Sequence, residues 1–273
     1  MLTRIAVAGW TPLWVVAGRL SLAAFLLVIA LRALRLPWPR GGASWGFFLL
    51  AALVGNVTPF LLITWGQTRV PAGATAILLG ITPLATLLLA RLFLADERFD
   101  LRRTVGFLCG FAGILLLVGP DAVAELLGAE TALAAELAIL AGGLCYASGT
   151  IIARLRPAEV EDATAAAAGT ILVAALMSLA LALAAEPPPA PAPQGSTFAV
   201  LALGVLGTAL PTVCFFRLVS LAGAAFTSLI NYLIPIWGVL LATVTLAEPL
   251  EWRMLAALAL VLGGILLGER RSG

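Results

Sequence analysis

The chain has 273 residues, of which 62% are hydrophobic and only 11% charged. A water-soluble domain carries about 25% charged residues. A net charge of +2, borne by sixteen arginines without a dense basic run, gives no footing for a nucleic-acid partner. Histidine is absent, and Cys109, Cys145 and Cys214 sit in apolar runs without CxxC spacing. No metal or cofactor is expected, and the commonest general base is missing. With a mean hydropathy of +1.10, the composition predicts an all-α integral membrane protein whose partners are the lipid bilayer and a small molecule.

A spanning helix needs about 20 mostly apolar residues. In chain order, nine segments answer to this: 12–34, 44–66, 72–94, 102–119, 131–153, 163–185, 197–218, 224–246 and 253–268. The first is no signal peptide, because it is long, contains Arg19 and is followed by eight more. Short links join most of them, as in a helical bundle. The exception, Glu186 to Ser196, is proline-rich and predicts an extended, solvated loop. Twelve of the sixteen arginines fall on alternate loops and the C-terminus. By the positive-inside rule those loops and the C-terminus are cytoplasmic, in a cell inner membrane, with 186–196 outside.

The chain repeats itself. Gly55-Asn-Val-Thr-Pro59 returns as Gly207-Thr-Ala-Leu-Pro211 at an offset of 152, and Pro83 returns as Pro235. After one deletion the offset is 151, matching Glu97 with Glu248, Gly113-Ile-Leu-Leu116 with Gly264-Ile-Leu-Leu267, and Gly18 with Gly169. The halves are 1–120 and 121–273.

These residues resemble a known family. Ile81-Thr-Pro-Leu84 before Ala95-Asp-Glu97, and Leu233-Ile-Pro-Ile236 before Leu246-Ala-Glu248, look like the duplicated EamA domain of the drug/metabolite transporter superfamily. The stretch Ala17-Gly-Arg-Leu-Ser-Leu-Ala-Ala24 is similar to that domain's second helix. The resemblance implies ten helices in two inverted five-helix repeats. It also implies export of small metabolites such as amino acids by exchange or proton coupling. Nine spans fall one short of that plan. Span 131–153 opens the second half, and its counterpart at the 151 offset lies upstream of Met1. A chain that begins one helix late is therefore the expectation.

Inverted repeats place substrate near the midplane, between discontinuous helices. Four spans carry central breakers as symmetric pairs: Gly55 and Pro59 with Gly207 and Pro211, and Pro83 with Pro235. Each proline removes a backbone donor, and the freed polar groups are tolerated in lipid only against protein or a wet cavity. Asn56, Thr82, Tyr146, Thr208, Asn231, Tyr232 and Trp237 lie near these breaks and are the expected substrate contacts. Arg19, about 10 Å into its span by helical rise, needs a partner, and Glu136 enters from the same side. An Arg19–Glu136 pair is expected. Glu97 and Glu248 are expected to cap the helices that follow them. Gly106-x-x-x-Gly110 and Gly263-Gly264 allow close helix contact.

The reading is thus an exporter, monomeric or homodimeric, working by alternating access. A multidrug or nucleotide-sugar carrier of the same fold is the nearer alternative. An intramembrane lipid-modifying enzyme is the more distant one. It would need clustered acid–base groups that this sequence lacks.

Overall fold

In a bilayer each backbone N–H and C=O must find its partner within the protein, so a chain this apolar has little choice but helices. The computed structural model describes residues 2–70, 72–94, 101–128, 133–160, 162–189, 193–233, 236 and 252–268. Among them the elements are α1 (Leu2–Val7), α2 (Pro12–Ala33), α3 (Gly42–Gly66), α4 (Ala72–Leu79), α5 (Ile81–Phe93) and α6 (Leu101–Gly128). The chain continues through α7 (Leu133–Arg154), α8 (Ala163–Ala185), α9 (Gln194–Ala222), α10 (Ala224–Leu233) and α11 (Trp252–Gly268). With α4 and α5 taken together as Ala74–Phe93, six described helices are long and apolar enough to span a membrane, and three shorter apolar helices accompany them. Each overlaps one of the segments expected from sequence.

The helix ends follow local chemistry. Thr11 caps α2, with Pro12 at the first helical position, where its missing N–H costs nothing. Asp162 caps α8 by accepting the Ala165 N–H at 2.8 Å. Gly223, at φ +84°, turns the chain between α9 and α10 in a conformation that side chains resist. The start of the proline-rich link is tied down, since Thr11 donates to Glu186 and Trp14 Nε1 donates to the Pro187 carbonyl at 2.9 Å.

The two halves interlock. One core joins Val16, Leu20 and Leu27 of α2 and Phe48 of α3 to Ala165–Ala168 and Ile171 of α8 and Phe216 of α9. The run of alanines on α8 presents little bulk, so α2 can approach it closely. A second core packs Leu87 of α5 and Phe107 and Ile114 of α6 against Tyr232 of α10 and Val261 of α11. In both, residues before position 120 meet residues after 133. The outer faces carry exposed apolar side chains such as Phe25, Leu92, Phe198 and Leu221, as lipid contact demands.

The sequence repeat is also a geometric one. A Cβ on Gly18 of α2 would meet Val200 of α9, and one on Gly169 of α8 would meet Phe48 of α3. Gly169 is Gly18 advanced by 151 and Val200 is Phe48 advanced by 152, so the two contacts are one contact made twice. Of the expected close-packing glycines, Gly264 lies against the Gly106 carbonyl and the Gly110 N–H, bringing α11 onto α6.

The central breaks differ from expectation in kind. α3 and α9 are continuous. Each widens for five residues into a π turn, at Leu53–Val57 and Val205–Ala209. The Thr58 N–H reaches back to the Leu53 carbonyl, and the Leu210 N–H to Val205. Prolines 59 and 211 follow at once. Neither can donate to the carbonyl four residues back, and each would clash with it in a regular turn. One extra residue in the turn relieves that clash without cutting the helix. A one-residue turn at Gly80 separates α4 from α5, although the Gly80 N–H still reaches the Ala76 carbonyl at 3.0 Å; three residues on, Pro83 leaves the Leu79 carbonyl without its helical donor.

Candidate functional site

Between the two π turns lies a cavity of about 410 Å³. Its wall is formed by Ala51, Gly55, Asn56 and Phe60 of α3; Tyr146, Gly149, Thr150 and Ala153 of α7; and Thr170 of α8. α9 adds Gly207, Pro211, Thr212, Cys214, Phe215 and Phe216, and α10 adds Thr227, Ser228, Ile230 and Asn231. Apolar rings and small residues make most of this surface, with two amides, a phenol and several hydroxyls between them. None of these lining residues carries a formal charge. Such a wall suits a small amphipathic molecule.

The polar groups are oriented from within the fold. Asn56 Nδ2 donates to the Ala51 carbonyl at 3.1 Å, and the Thr208 hydroxyl donates to the Leu203 carbonyl at 2.9 Å. These are again equivalent positions, each side chain closing on a carbonyl five residues back at its π turn. Asn231 Nδ2 donates to the Ser228 carbonyl at 2.9 Å. Tyr146 meets Phe60 edge to face at 6.0 Å. α7 gets this close to α3 because Gly149 faces Gly55 directly; a Cβ on Gly149 would lie 2.6 Å from the Gly55 Cα.

Arg19 stands behind this wall, 8% exposed. Its Nε donates to the Thr208 hydroxyl at 3.0 Å and its Nη2 to the Gly207 carbonyl at 2.9 Å. The guanidinium lies 4.0 Å from the centre of the Phe60 ring, a favourable placement for a cation. The Gly207 carbonyl is the one that Pro211 cannot serve. Arginine thus answers the acceptor that proline releases.

The expected Arg19–Glu136 pair is not formed. Arg19 sits level with Phe60 and hence with Tyr146, whereas Glu136 occupies the first turn of α7. Ten residues of helix, about 15 Å, separate Glu136 from Tyr146. Other expectations also need correcting. Tyr232 is fully buried and donates to the Phe107 carbonyl at 3.0 Å, its ring filling the space above Gly110. It fastens α10 to α6 and does not line this cavity. Thr82 is buried beside Gly143, and Pro59 and Pro83 are buried too, all off this wall. Thr208 lies one layer behind Gly207. Asn56, Tyr146, Asn231, Gly55, Gly207 and Pro211 do come together on the wall. Pro235, Trp237, Glu97 and Glu248 lie outside the described residues.

Several wall residues went unread in the sequence: Phe60, Thr150, Thr170, Ser228 and the Phe215–Phe216 pair. For Thr170 a signal existed, since it is Arg19 advanced by 151. Phe60 directly follows a noted proline.

A family model described as "EamA-like transporter family" matches residues 1–119 and again 133–268. The chain is 25% identical over 268 residues to "Uncharacterized transporter YvbV" of Bacillus subtilis, covering 98% of this chain and 86% of that protein. It is 28% identical to a "Probable terminal-alkyne amino-acid exporter" of Streptantibioticus cattleyicolor, covering 98% and 88%. To "Uncharacterized inner membrane transporter YedA" of Escherichia coli K12 it is 30% identical, covering 97% and 85%. A solved crystal structure, 21% identical, shares the fold with a TM-score of 0.75 over 97% of this chain and 90% of that one.

Proposed function

This chain belongs to the EamA-like transporter family, and we propose that it exports small zwitterionic metabolites such as amino acids by alternating access. It is a multi-pass membrane transporter. What supports the finer reading is the cavity between the π turns. It is small, largely apolar and built from both repeats, with polar groups on its wall and the Arg19 guanidinium behind it. Among the described residues only two of the five Arg19 N–H bonds have acceptors, and no carboxylate answers its charge. A buried cation left in that state draws an anionic group. The carboxylate of an amino acid is a suitable one, and its apolar side chain suits the phenylalanine-lined remainder.

Alternating access fits the interlocked inverted halves, which can rock about a fixed central site. The arginine bias gives the orientation, with the C-terminus in the cytoplasm and the proline-rich link outside. Vesicles test both parts together. Purified protein in liposomes loaded with an unlabelled amino-acid panel should accelerate counterflow of labelled leucine or methionine. An impermeant thiol reagent should reach a cysteine placed at Pro188 in intact cells. Flux no greater than in empty liposomes for the whole panel would remove the substrate class, and protection of position 188 would invert the topology.

A further inference from the structure

The two π turns have the same acceptors but not the same occupant. At the second turn, the carbonyl that Pro211 cannot serve, Gly207, holds the Arg19 guanidinium at 2.9 Å, with the side chain of Thr208 as second acceptor at 3.0 Å. At the first turn the equivalent carbonyl is Gly55, freed in the same way by Pro59. The residue equivalent to Thr208 is Asn56, and the residue equivalent to Arg19 is Thr170. The reciprocal contacts Gly18–Val200 and Gly169–Phe48 place α8 against α3 as α2 stands against α9, so by the repeat Thr170 is to Gly55 what Arg19 is to Gly207, and Thr170 and Gly55 line the same cavity. Threonine ends at its γ atoms, too short to deliver a cation to that carbonyl. Thr170 is fully buried, and its hydroxyl has no hydrogen-bond partner among the described residues. A buried polar group in that condition calls for an explanation. Of the buried unpartnered side chains among the described residues, it is the one that belongs to the cavity wall, together with Gly55 and Asn56.

We propose that a protonated primary amine of the transported molecule docks at Gly55, Asn56 and Thr170, taking in the first half the place that the Arg19 guanidinium takes in the second. The chemistry matches. Asn56 commits its Nδ2 to the Ala51 carbonyl, which leaves Oδ1 as an acceptor on the wall that it shares with Gly55 and Thr170. Three oxygen acceptors meet the three N–H donors of an ammonium group. The Tyr146 ring on the same wall adds a surface that cations favour. The inference rests on the transporter reading above and narrows its substrate to molecules with an amine, the acid group being left to the Arg19 side.

The internal template supplies the test. In Thr170→Arg the chain would carry its own cation to Gly55 and close the amine site. Thr170→Val keeps the shape and removes the hydroxyl. The probes are 3-methylbutylamine, 4-methylpentanoate and L-leucine, which share a branched carbon skeleton. Binding to the full chain in detergent is read by melting temperature and calorimetry in sodium-free buffer. The wild type should bind the amine, Thr170→Arg should not, and Thr170→Val should bind it about tenfold more weakly. 4-Methylpentanoate should bind the wild type and Thr170→Val alike. Should Thr170→Arg fail to fold, Thr170→Val decides. A wild type that ignores the amine, a Thr170→Val protein that binds it normally, or protection by sodium chloride alone would overturn the inference. Liposome flux separates its failure from that of the transporter reading. If leucine is carried but Thr170→Val affects leucine and 4-methylpentanoate equally, the amine site is wrong and transport stands. If nothing is carried while the amine effect persists, the site stands and the transport reading falls.

Discussion

The π turns of α3 and α9 descend from one repeated motif, yet they are held in place by different means. In α9 the turn is secured by a charge: Arg19 crosses from α2 to the Gly207 carbonyl and the Thr208 hydroxyl. In α3 no charge is brought in. The turn is secured by backbone contact, with Gly149 of α7 pressed on Gly55, and its polar groups open on the cavity. The same proline chemistry creates a demand for a donor in both places. One half meets that demand permanently from within the chain. The other leaves it at the wall of a binding space. A duplicated transporter can in this way convert a structural need in one repeat into a recognition site in the other.

The largest effect should come from attacking the packing on which only the first turn depends. In Gly149→Ala the new methyl would lie 2.6 Å from the Gly55 Cα. Backbone lies on both sides, so neither can move aside. A cost of about 3 kcal/mol follows from overpacking of this kind, or a fall in melting temperature of roughly 6–12 °C for a chain of this size. Gly207→Ala is the matched control. Its methyl would meet only the Leu203 side chain at 3.3 Å and Arg19 Nη2 at 3.5 Å, contacts that yield. Its melting temperature should stay within about 2 °C of the wild type, since alanine also favours helix by about 1 kcal/mol. Equal losses in the two variants would mean that the turns are supported alike.

A smaller effect is expected from removing the charge on which only the second turn depends. Arg19→Met keeps much of the bulk but strips donors from the Gly207 carbonyl and the Thr208 hydroxyl. Unsatisfied buried groups cost about 1–3 kcal/mol, so melting should fall by roughly 5 °C. Binding of 4-methylpentanoate should be lost with it, if the guanidinium draws the acid group. Arg19→Lys should restore the charge but only one of the two bonds, because an ammonium group is not a planar fork. Partial recovery of stability with weak acid binding is the expected pattern. Full acid binding by Arg19→Met would detach recognition from the second turn altogether.

What the sequence revealed of this arrangement follows a physical line. Span positions were legible because about 20 apolar residues are needed wherever a helix crosses lipid. The paired Gly and Pro motifs were legible because a doubled pattern in register is improbable by chance. The response of the helix to proline was not. Whether it slackens for one residue, as at Gly80, or widens, as at Leu53–Val57, depends on whether neighbouring helices supply donors and room, and that is tertiary information. The Arg19–Glu136 expectation failed for a related reason. A buried arginine need not find its carboxylate within the chain, because a proline-released carbonyl and an aromatic face hold it at its own depth. Tyr232 departs from expectation because a polar residue beside a helix break need not face substrate. Its hydroxyl finds the Phe107 carbonyl, a partner from another helix that no local pattern displays. Thr170, the residue with most to say about the site, was hidden by being ordinary. Only alignment of the two halves through Gly18 and Gly169 gives it meaning.

The smallest effect should separate the two equivalent side chains that bridge each π turn. Asn56→Ala and Thr208→Val each remove one hydrogen bond to a carbonyl five residues back, at 3.1 and 2.9 Å. Each is worth about 1 kcal/mol. The surroundings differ, so the readouts should differ. Asn56 lines the cavity, and water or substrate can reach the carbonyl it leaves behind. Its loss should lower transport of leucine about fivefold to tenfold while melting moves by no more than about 2 °C. Thr208 is 1% exposed and also accepts from Arg19, so nothing from the cavity can replace its hydroxyl. Thr208→Val should therefore lower the melting temperature by about 4 °C and reduce transport only as far as Arg19 is displaced. The two variants are best measured side by side, as initial counterflow rates in liposomes and melting curves in detergent. If Thr208→Val proved the worse transporter and Asn56→Ala the less stable protein, the assignment of recognition to Asn56 and of support to Thr208 would be reversed.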